Sequence, residues 1–435
     1  MSLFDPDALN PGVQRREVFA WAMYDFANSG YTTVVLTAVF NAYFVSVVAQ
    51  GRDWATLAWT SALAVSNLVV MLTMPALGAF ADMSGGKKRL LAATTLGCVL
   101  ATAALAWTGP GDLALGVAAL VVSNVLYTYG ESLIASYLPE LARPSAVGRV
   151  SGWGWSFGYV GGMLSLGLSL AYVLHAQAQG QSASQFVPVT MLLTAGVYGA
   201  ASLVTFVGLR DRPALDQPSG AGPSAREAWR RLWHTLREVS RYQDFAWLLA
   251  CTVAYQAGIS VVIALAAVYA EQALGFSQVE TMTLVFLVNI AATIGAFGFG
   301  HWQDRIGHRR ALGLTLVGWI VMALMAAVAK STPTFWVSAM LAGICMGSSQ
   351  SAGRAMVALL APDAQRAEFF GLWTFAVRLS AIIGPMTYGV VTWWSAGNHR
   401  LGILSTGLFF VLGLILLGRI NLVRGQTASR MTLTH

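Results

Sequence analysis

The chain is 435 residues long, 56% hydrophobic and only 10% charged, with 26 Lys and Arg against 19 Asp and Glu for a formal net charge of +7. Soluble domains carry about 25% charged residues, so charge this sparse cannot clothe the two or three soluble domains such a length would make. The apolar content excludes disorder and coiled coil, three cysteines exclude a disulfide scaffold, and what remains is an all-α polytopic membrane protein.

A bilayer-crossing helix needs about 20 apolar residues. Apolar runs predict twelve such helices, at 18–48, 55–80, 89–108, 113–138, 149–174, 187–209, 245–270, 279–300, 310–329, 334–360, 368–394 and 401–418. The first run follows Arg15 and Arg16 and is too long for a cleavable signal peptide. Cys98, Cys251 and Cys345 lie singly inside apolar stretches and read as small core residues. No histidine lies mid-run, so no buried metal or haem site is expected.

Basic residues orient these spans. With both termini in the cytoplasm, Lys and Arg crowd that side, including Lys87, Lys88, Arg89, Arg305, Arg309 and Arg310. Only Arg52, Lys330 and Arg400 lie opposite, and Arg354 and Arg378 fall within spans. This positive-inside pattern assigns the excess charge to topology and anionic lipid rather than to nucleic acid, and points to a bacterial cytoplasmic membrane. The segment 210–243 breaks the pattern: three prolines lead into apolar positions 225, 228, 229, 232, 233 and 236, one face of an amphipathic surface helix. The expected organisation is therefore a six-helix bundle over 1–209, a linker over 210–243, a second bundle over 244–418 and a tail over 419–435.

The halves repeat. Gly78-x3-Asp82-x2-Gly85 matches Gly300-x3-Asp304-x2-Gly307, and Pro139-x3-Arg143-x4-Gly148 matches Pro362-x3-Arg366-x4-Gly371. Phe19-Ala-Trp21 matches Phe245-Ala-Trp247. Parallel repeats related by an axis along the membrane normal are a transporter architecture around a central cavity.

The loop Gly78-Ala-Phe-Ala-Asp82-Met-Ser-Gly85-Gly-Lys87-Lys88-Arg89, echoed by Gly300 to Arg310, resembles the signature loop of the major facilitator superfamily. The resemblance implies that Asp82 and Asp304, with Gly78, Gly85, Lys88, Arg89, Gly300, Gly307 and Arg309, stabilise one end of an alternating-access cycle. Each Asp sits where a neighbouring helix N-terminus can meet it. A narrower resemblance follows. Trp21-Ala-Met-Tyr24-Asp25-Phe-Ala-Asn28-Ser29-Gly-Tyr31 is similar to the opening motif of the vacuolar amino-acid effluxer-like family, autophagy-related in fungi and widespread in bacteria. Leu138-Pro139-Glu140, Gly148 to Gly162 and Ala367-Glu368-Phe-Phe-Gly371 agree with it. The chain departs from that family at Phe26 (usually Trp), at Asn41-Ala42 (usually prolines) and around Ala135–Ser136, where an Asn is expected. The resemblance implies transport of an amino acid; fungal relatives export ones such as leucine.

A charge at mid-span costs at least about 2.5–3.5 kcal/mol, so it is paired, hydrated or functional. Four stand out: Asp25, Glu131, Arg354 and Arg378. Glu131 lies eight residues before Pro139 and Arg354 eight before Pro362, so they occupy equivalent places in the two halves with opposite charge. They are expected to face each other across the cavity, either as a substrate or gating pair or as a permanent salt bridge. Tyr127 shares the Glu131 face and Gln350 the Arg354 face. Asp25 and Asn28 either extend this polar stripe or are structural, Tyr24 and Asn28 capping a break in the first helix and Asp25 buried and hydrogen-bonded. Arg378 either binds a substrate carboxylate or neutralises Asp25 or Glu131. Tyr24, Trp155, Tyr255 and Trp373 are the aromatic candidates for cavity walls, against ordinary packing.

These residues suit a zwitterionic amino acid, its carboxylate on Arg354 or Arg378 and its ammonium on Asp25 or Glu131. A carboxylate that loses its arginine in one state offers a route to proton coupling, with Glu131 first. The expected function is a secondary transporter, monomeric and without cofactor, working by a rocker switch. An exporter of drugs or amphipathic metabolites is the alternative within transport, and a non-transporting sensor or scaffold the alternative outside it. No P-loop or catalytic cluster is present, so no enzyme is expected.

Overall fold

A computed structural model describes residues 4–211, 242–274, 278–329, 331–395 and 398–430, with isolated positions 227, 230 and 233. Most of the surface helix expected over 225–236 lies outside the described residues.

In hydrocarbon every backbone N–H and C=O must be satisfied within its own segment, so the apolar runs become helices. In chain order these are α1, Arg15–Val48; α2, Ala55–Ser84; α3, Lys87–Ala104; α4, Leu113–Ala135; α5, Val147–Ala178; and α6, Ala183–Gly208. The second half holds α7, Gln243–Leu274; α8, Gln278–Ile306; α9, His308–Val328; α10, Thr332–Leu360; α11, Arg366–Trp394; and α12, His399–Leu417. A short α13, Leu422–Arg430, follows. Among the described residues, eleven helices are long and apolar enough to span a membrane. The exception among the twelve is α10, whose run of Ser348, Ser349, Gln350, Ser351 and Arg354 dilutes its apolar content.

Two turns use glycine for a conformation other residues avoid: Gly85, with φ 59°, ends α2, and Gly307, with φ 90°, joins α8 to α9. The first helix is not one regular cylinder. It is α-helical over Arg15–Gly30, then widens over Tyr31–Ala38 and again over Phe44–Val48. Val39 N–H donates to Val34 O, five residues back, and Thr37 Oγ1 donates to Thr32 O. The break therefore falls at Tyr31, and Tyr24 and Asn28 do not cap it.

Within the first half α1 packs on α5 and α6, and α3 on α4; within the second α7 packs on α11 and α12, and α9 on α10 and α12. Between halves the main contacts are α2 with α11 and α8 with α5, which are the same contact under the repeat. Both occur at the end of the bundle that carries Asn10 and α13, here called the basic end. Small residues let the backbones touch there: a Cβ added at Gly152 would lie 2.9 Å from Gly300 Cα, and one at Gly371 2.9 Å from Met74 O. Leu68, Leu72, Leu168, Ile294 and Leu408 point outward, as a lipid-facing surface requires.

Candidate functional site

The basic end is sealed by carboxylates that reach across the halves. Asp82 Oδ1 and Oδ2 accept the N–H groups of Ala367 (3.0 Å) and Glu368 (2.9 Å), at the start of α11. Asp304 Oδ1 and Oδ2 accept those of Gly148 and Arg149 (2.9 Å each), at the start of α5. Each satisfies two donors that a helix N-terminus leaves unpaired and places negative charge at the positive end of its dipole. Gly78 and Gly300 permit the approach, since an added Cβ would meet the start of α11 or the backbone of Gly148 and Gly152. Lys88 and Arg309 act within their own halves: Lys88 Nζ donates to Leu209 O at the end of α6, and Arg309 to Gly418 O and Ile420 O beyond α12. Arg89 is exposed. Sequence reasoning missed Glu140, which accepts Lys87 Nζ at 2.7 Å and lies 3.7 Å from Arg366 of the other half.

Above this seal lies a buried ion pair. Arg354 Nη1 donates to Asp25 Oδ2 at 2.7 Å, its Nε to Ser151 Oγ at 3.2 Å and its Nη2 to Ser151 O at 2.8 Å. The guanidinium lies 4.8 Å from the Trp21 ring centre and 5.2 Å from that of Trp155. The Arg354 and Asp25 side chains are 4% and 10% exposed. Room for this cluster comes from Gly154, where a Cβ would sit 2.5 Å from both Arg354 Nη2 and Asp25 Oδ2. Trp21 is held by its own bond to Ile134 O at 2.8 Å. Ser151, Gly154 and Trp21 were not singled out from sequence as site residues, although Trp21 opens the first family-like motif and closes the repeated Phe-Ala-Trp, and Ser151 and Gly154 lie in the family-like stretch from Gly148 to Gly162.

A second ion pair is accessible. Arg378 Nη2 donates to Glu131 Oε2 at 3.0 Å, joining α11 to α4, and these side chains are 17% and 34% exposed. Arg378 Nε has no hydrogen-bond partner. Tyr127 lies one helical turn from Glu131 and stacks on Tyr31 at 5.1 Å between ring centres. Asn28 is buried beside Ser29. Gln350 accepts from Gln256 Nε2 at 2.7 Å, tying α10 to α7.

The pairing differs from the sequence expectation. Glu131 and Arg354 do not face each other: Arg354 turns toward α5, where Ser151 and Gly154 leave space, and takes Asp25, while Glu131 takes Arg378. Two aromatic candidates also prove to be packing residues. Tyr24 is fully buried in the first half, bonded to Thr95 Oγ1 (2.8 Å) and Tyr198 Oη (3.3 Å). Tyr255 is fully buried against Gly353 and Gly413. Trp373 is buried edge-on to Phe370, and Trp155 flanks the buried pair rather than an open wall.

The sequence matches the model of the family described as "Vacuole effluxer Atg22 like" over residues 55–148 and 145–430. The chain belongs to this family. Among relatives of the Atg22-like family, the uncharacterized MFS-type transporter YxiO of Bacillus subtilis is 25% identical over 405 residues, covering 92% of this chain and 93% of YxiO. Autophagy-related protein 22 of Yarrowia lipolytica is 24% identical over 342 residues, 71% of this chain and 56% of that protein. The fold is that of the major facilitator superfamily: the proton:xylose symporter XylE superposes with a TM-score of 0.71 at 14% identity, over 96% of this chain and 98% of that one. The human organic anion transporter MFSD10 does so with 0.69 at 16%, over 93% and 99%. The protein is thus a multi-pass membrane transporter and not an enzyme.

Proposed function

We propose that this member of the Atg22-like family is a secondary transporter of small zwitterionic amino acids, with both termini cytoplasmic, rocking its two halves about the Glu131–Arg378 pair. One observation carries the reading: opposite charges on different halves, paired at 3.0 Å with both side chains partly exposed. A substrate carboxylate competes with Glu131 for Arg378 Nη2, while the ammonium takes Glu131. The halves then close around the bound zwitterion instead of around their own salt bridge. Glu131, released from Arg378 during the cycle, is the group we assign to proton coupling. Asp25 and Arg354 serve as a latch: their separation is required when the basic end opens.

The test is counterflow in proteoliposomes loaded with unlabelled amino acids, following labelled leucine, alanine and tyrosine, because counterflow needs no ion gradient. Uptake in the native chain that is lost in Glu131→Gln supports the reading. Absence of uptake for every amino acid in folded protein overturns the substrate, and organic acids and amphipathic drugs become the next panel.

A further inference from the structure

At the basic end, away from both ion pairs, the structure holds a cavity of about 310 Å³. Its walls come from several separate parts of the chain. Asn10 belongs to the N-terminal segment, Val147 to the start of α5, Leu359 to the end of α10, Asp363 and Arg366 to the α10–α11 connection, and Gln426 to α13. The N-terminal segment is fixed in place: Asn10 Nδ2 donates to Pro139 O and Glu140 O (3.0 Å each), and Arg143 Nε to Leu9 O. The helix α13 is fixed too, through Arg424 to Asp244 at 2.7 Å. The cavity is therefore bounded by built structure from both halves.

Its chemistry is specific. Arg366 and Asp363 form an ion pair at 2.7 Å on one wall, and Arg366 Nε is buried without a hydrogen-bond partner. Glu140, which faces Arg366 from behind, is matched by Lys87, so these four charges sum to zero. The rest of the wall mixes aliphatic Val147, Ala358 and Leu359 with the polar side chains of Asn10, Gln426 and Ser429. A neutral environment offering one cation and one anion beside a mixed aliphatic and polar wall favours a small zwitterion over a net anion or cation. The volume lies at the lower end of the range of small-molecule sites, about 300–1,000 Å³.

We propose that this cavity is a second, regulatory site for a small neutral α-amino acid, present only while the basic end is sealed. Its two sides ride on different halves, so opening that end divides it. An occupant binds the sealed state alone and shifts the population toward it, by mass action. Amino acid on the basic side then slows the opening of the gate on that side. This rests on the reading of the protein as an amino-acid transporter only for its physiological meaning; the binding chemistry stands on the cavity itself.

The test is binding of L-leucine to the full chain in lipid nanodiscs, in a background of Glu131→Gln with Arg378→Gln that removes the central pair. Saturable leucine binding is expected to persist there, with L-glutamate and L-lysine roughly tenfold weaker. Ala358→Trp, which fills the cavity, and Gln426→Trp, placed on its rim in case the first variant fails to fold, are each expected to weaken leucine by roughly tenfold or more. Loss of all leucine binding in the central-pair background overturns the proposal, as does binding that both tryptophan variants leave unchanged. Counterflow separates the two readings. Counterflow in the native chain with no second site removes this inference alone; cavity-sensitive binding without counterflow removes the transport reading alone.

Discussion

Two ion pairs of mid-span residues join the halves of this protein, and they are built for opposite purposes. Asp25–Arg354 is enclosed: its guanidinium has Ser151 on two nitrogens, indole rings on both Trp21 and Trp155, and a glycine at position 154 to make room. Glu131–Arg378 is the more open pair, with one hydrogen bond and a third of the carboxylate side chain exposed. Burial makes the first costly to break, and accessibility makes the second available to a solute. The same elements, one carboxylate and one arginine, become a latch or a binding site according to what surrounds them.

The largest expected effect lies on the enclosed side. Arg354→Gln strands Asp25 in a buried site, and breaking a buried pair this way costs about 3–5 kcal/mol. Thermal unfolding in detergent is expected to fall well below the native value, with partial recovery when Asp25→Asn is added. A full loss in the single variant with no recovery in the double variant contradicts pairing as the cause. Next comes Gly154→Ala, whose new methyl group meets both charged side chains; overpacking of this kind costs about 1–3 kcal/mol. If Gly154→Ala unfolds with the native protein, the crowding seen around that glycine is not energetically real.

The end caps should matter less and differently. Removing an N-terminal cap costs about 0.5–2 kcal/mol. Because Asp82 and Asp304 cap helices of the opposite half, Asp82→Ala and Asp304→Ala are expected to lose that stability from the sealed state alone. Maleimide labelling of Ala296→Cys, at the buried α5–α8 contact and without the native cysteines, should then accelerate roughly 2- to 30-fold. The smallest effect on stability belongs to Glu131→Gln, within about 1 kcal/mol, because the amide oxygen still accepts from Arg378 and this pair is the more exposed of the two. A melting loss as large as that of Arg354→Gln would erase the distinction between the two pairs.

Much of this was readable before any coordinates. The spans follow from apolar runs, and the glycines of both signature loops were legible because Gly85 and Gly307 do adopt positive φ. All four mid-span charges announced themselves by cost. Their pairing did not. The repeat sets Glu131 and Arg354 at equivalent places, but which way each side chain turns depends on the holes beside it. Those holes are made by Gly154 and Ser151, residues with no hydropathy signal. Tyr24 and Tyr255 looked like cavity residues for the same reason: a polar tip on an apolar helix reads alike whether it meets a solute or, as for Tyr24, the hydroxyls of Thr95 and Tyr198. The widened turns of α1 were invisible because Thr32, Thr33, Val34 and Val35 keep the run apolar enough to span in any helical form.

The division of labour between the two pairs is tested most directly by leucine counterflow measured against substrate concentration, per folded protein, in Glu131→Gln and in the double variant Asp25→Asn with Arg354→Gln. The expected result is that Glu131→Gln raises half-saturation beyond reach, while the double variant keeps the native half-saturation and changes only the maximal rate. The reverse pattern, with native half-saturation in Glu131→Gln and its loss in the double variant, would place the substrate on the enclosed pair and contradict the account.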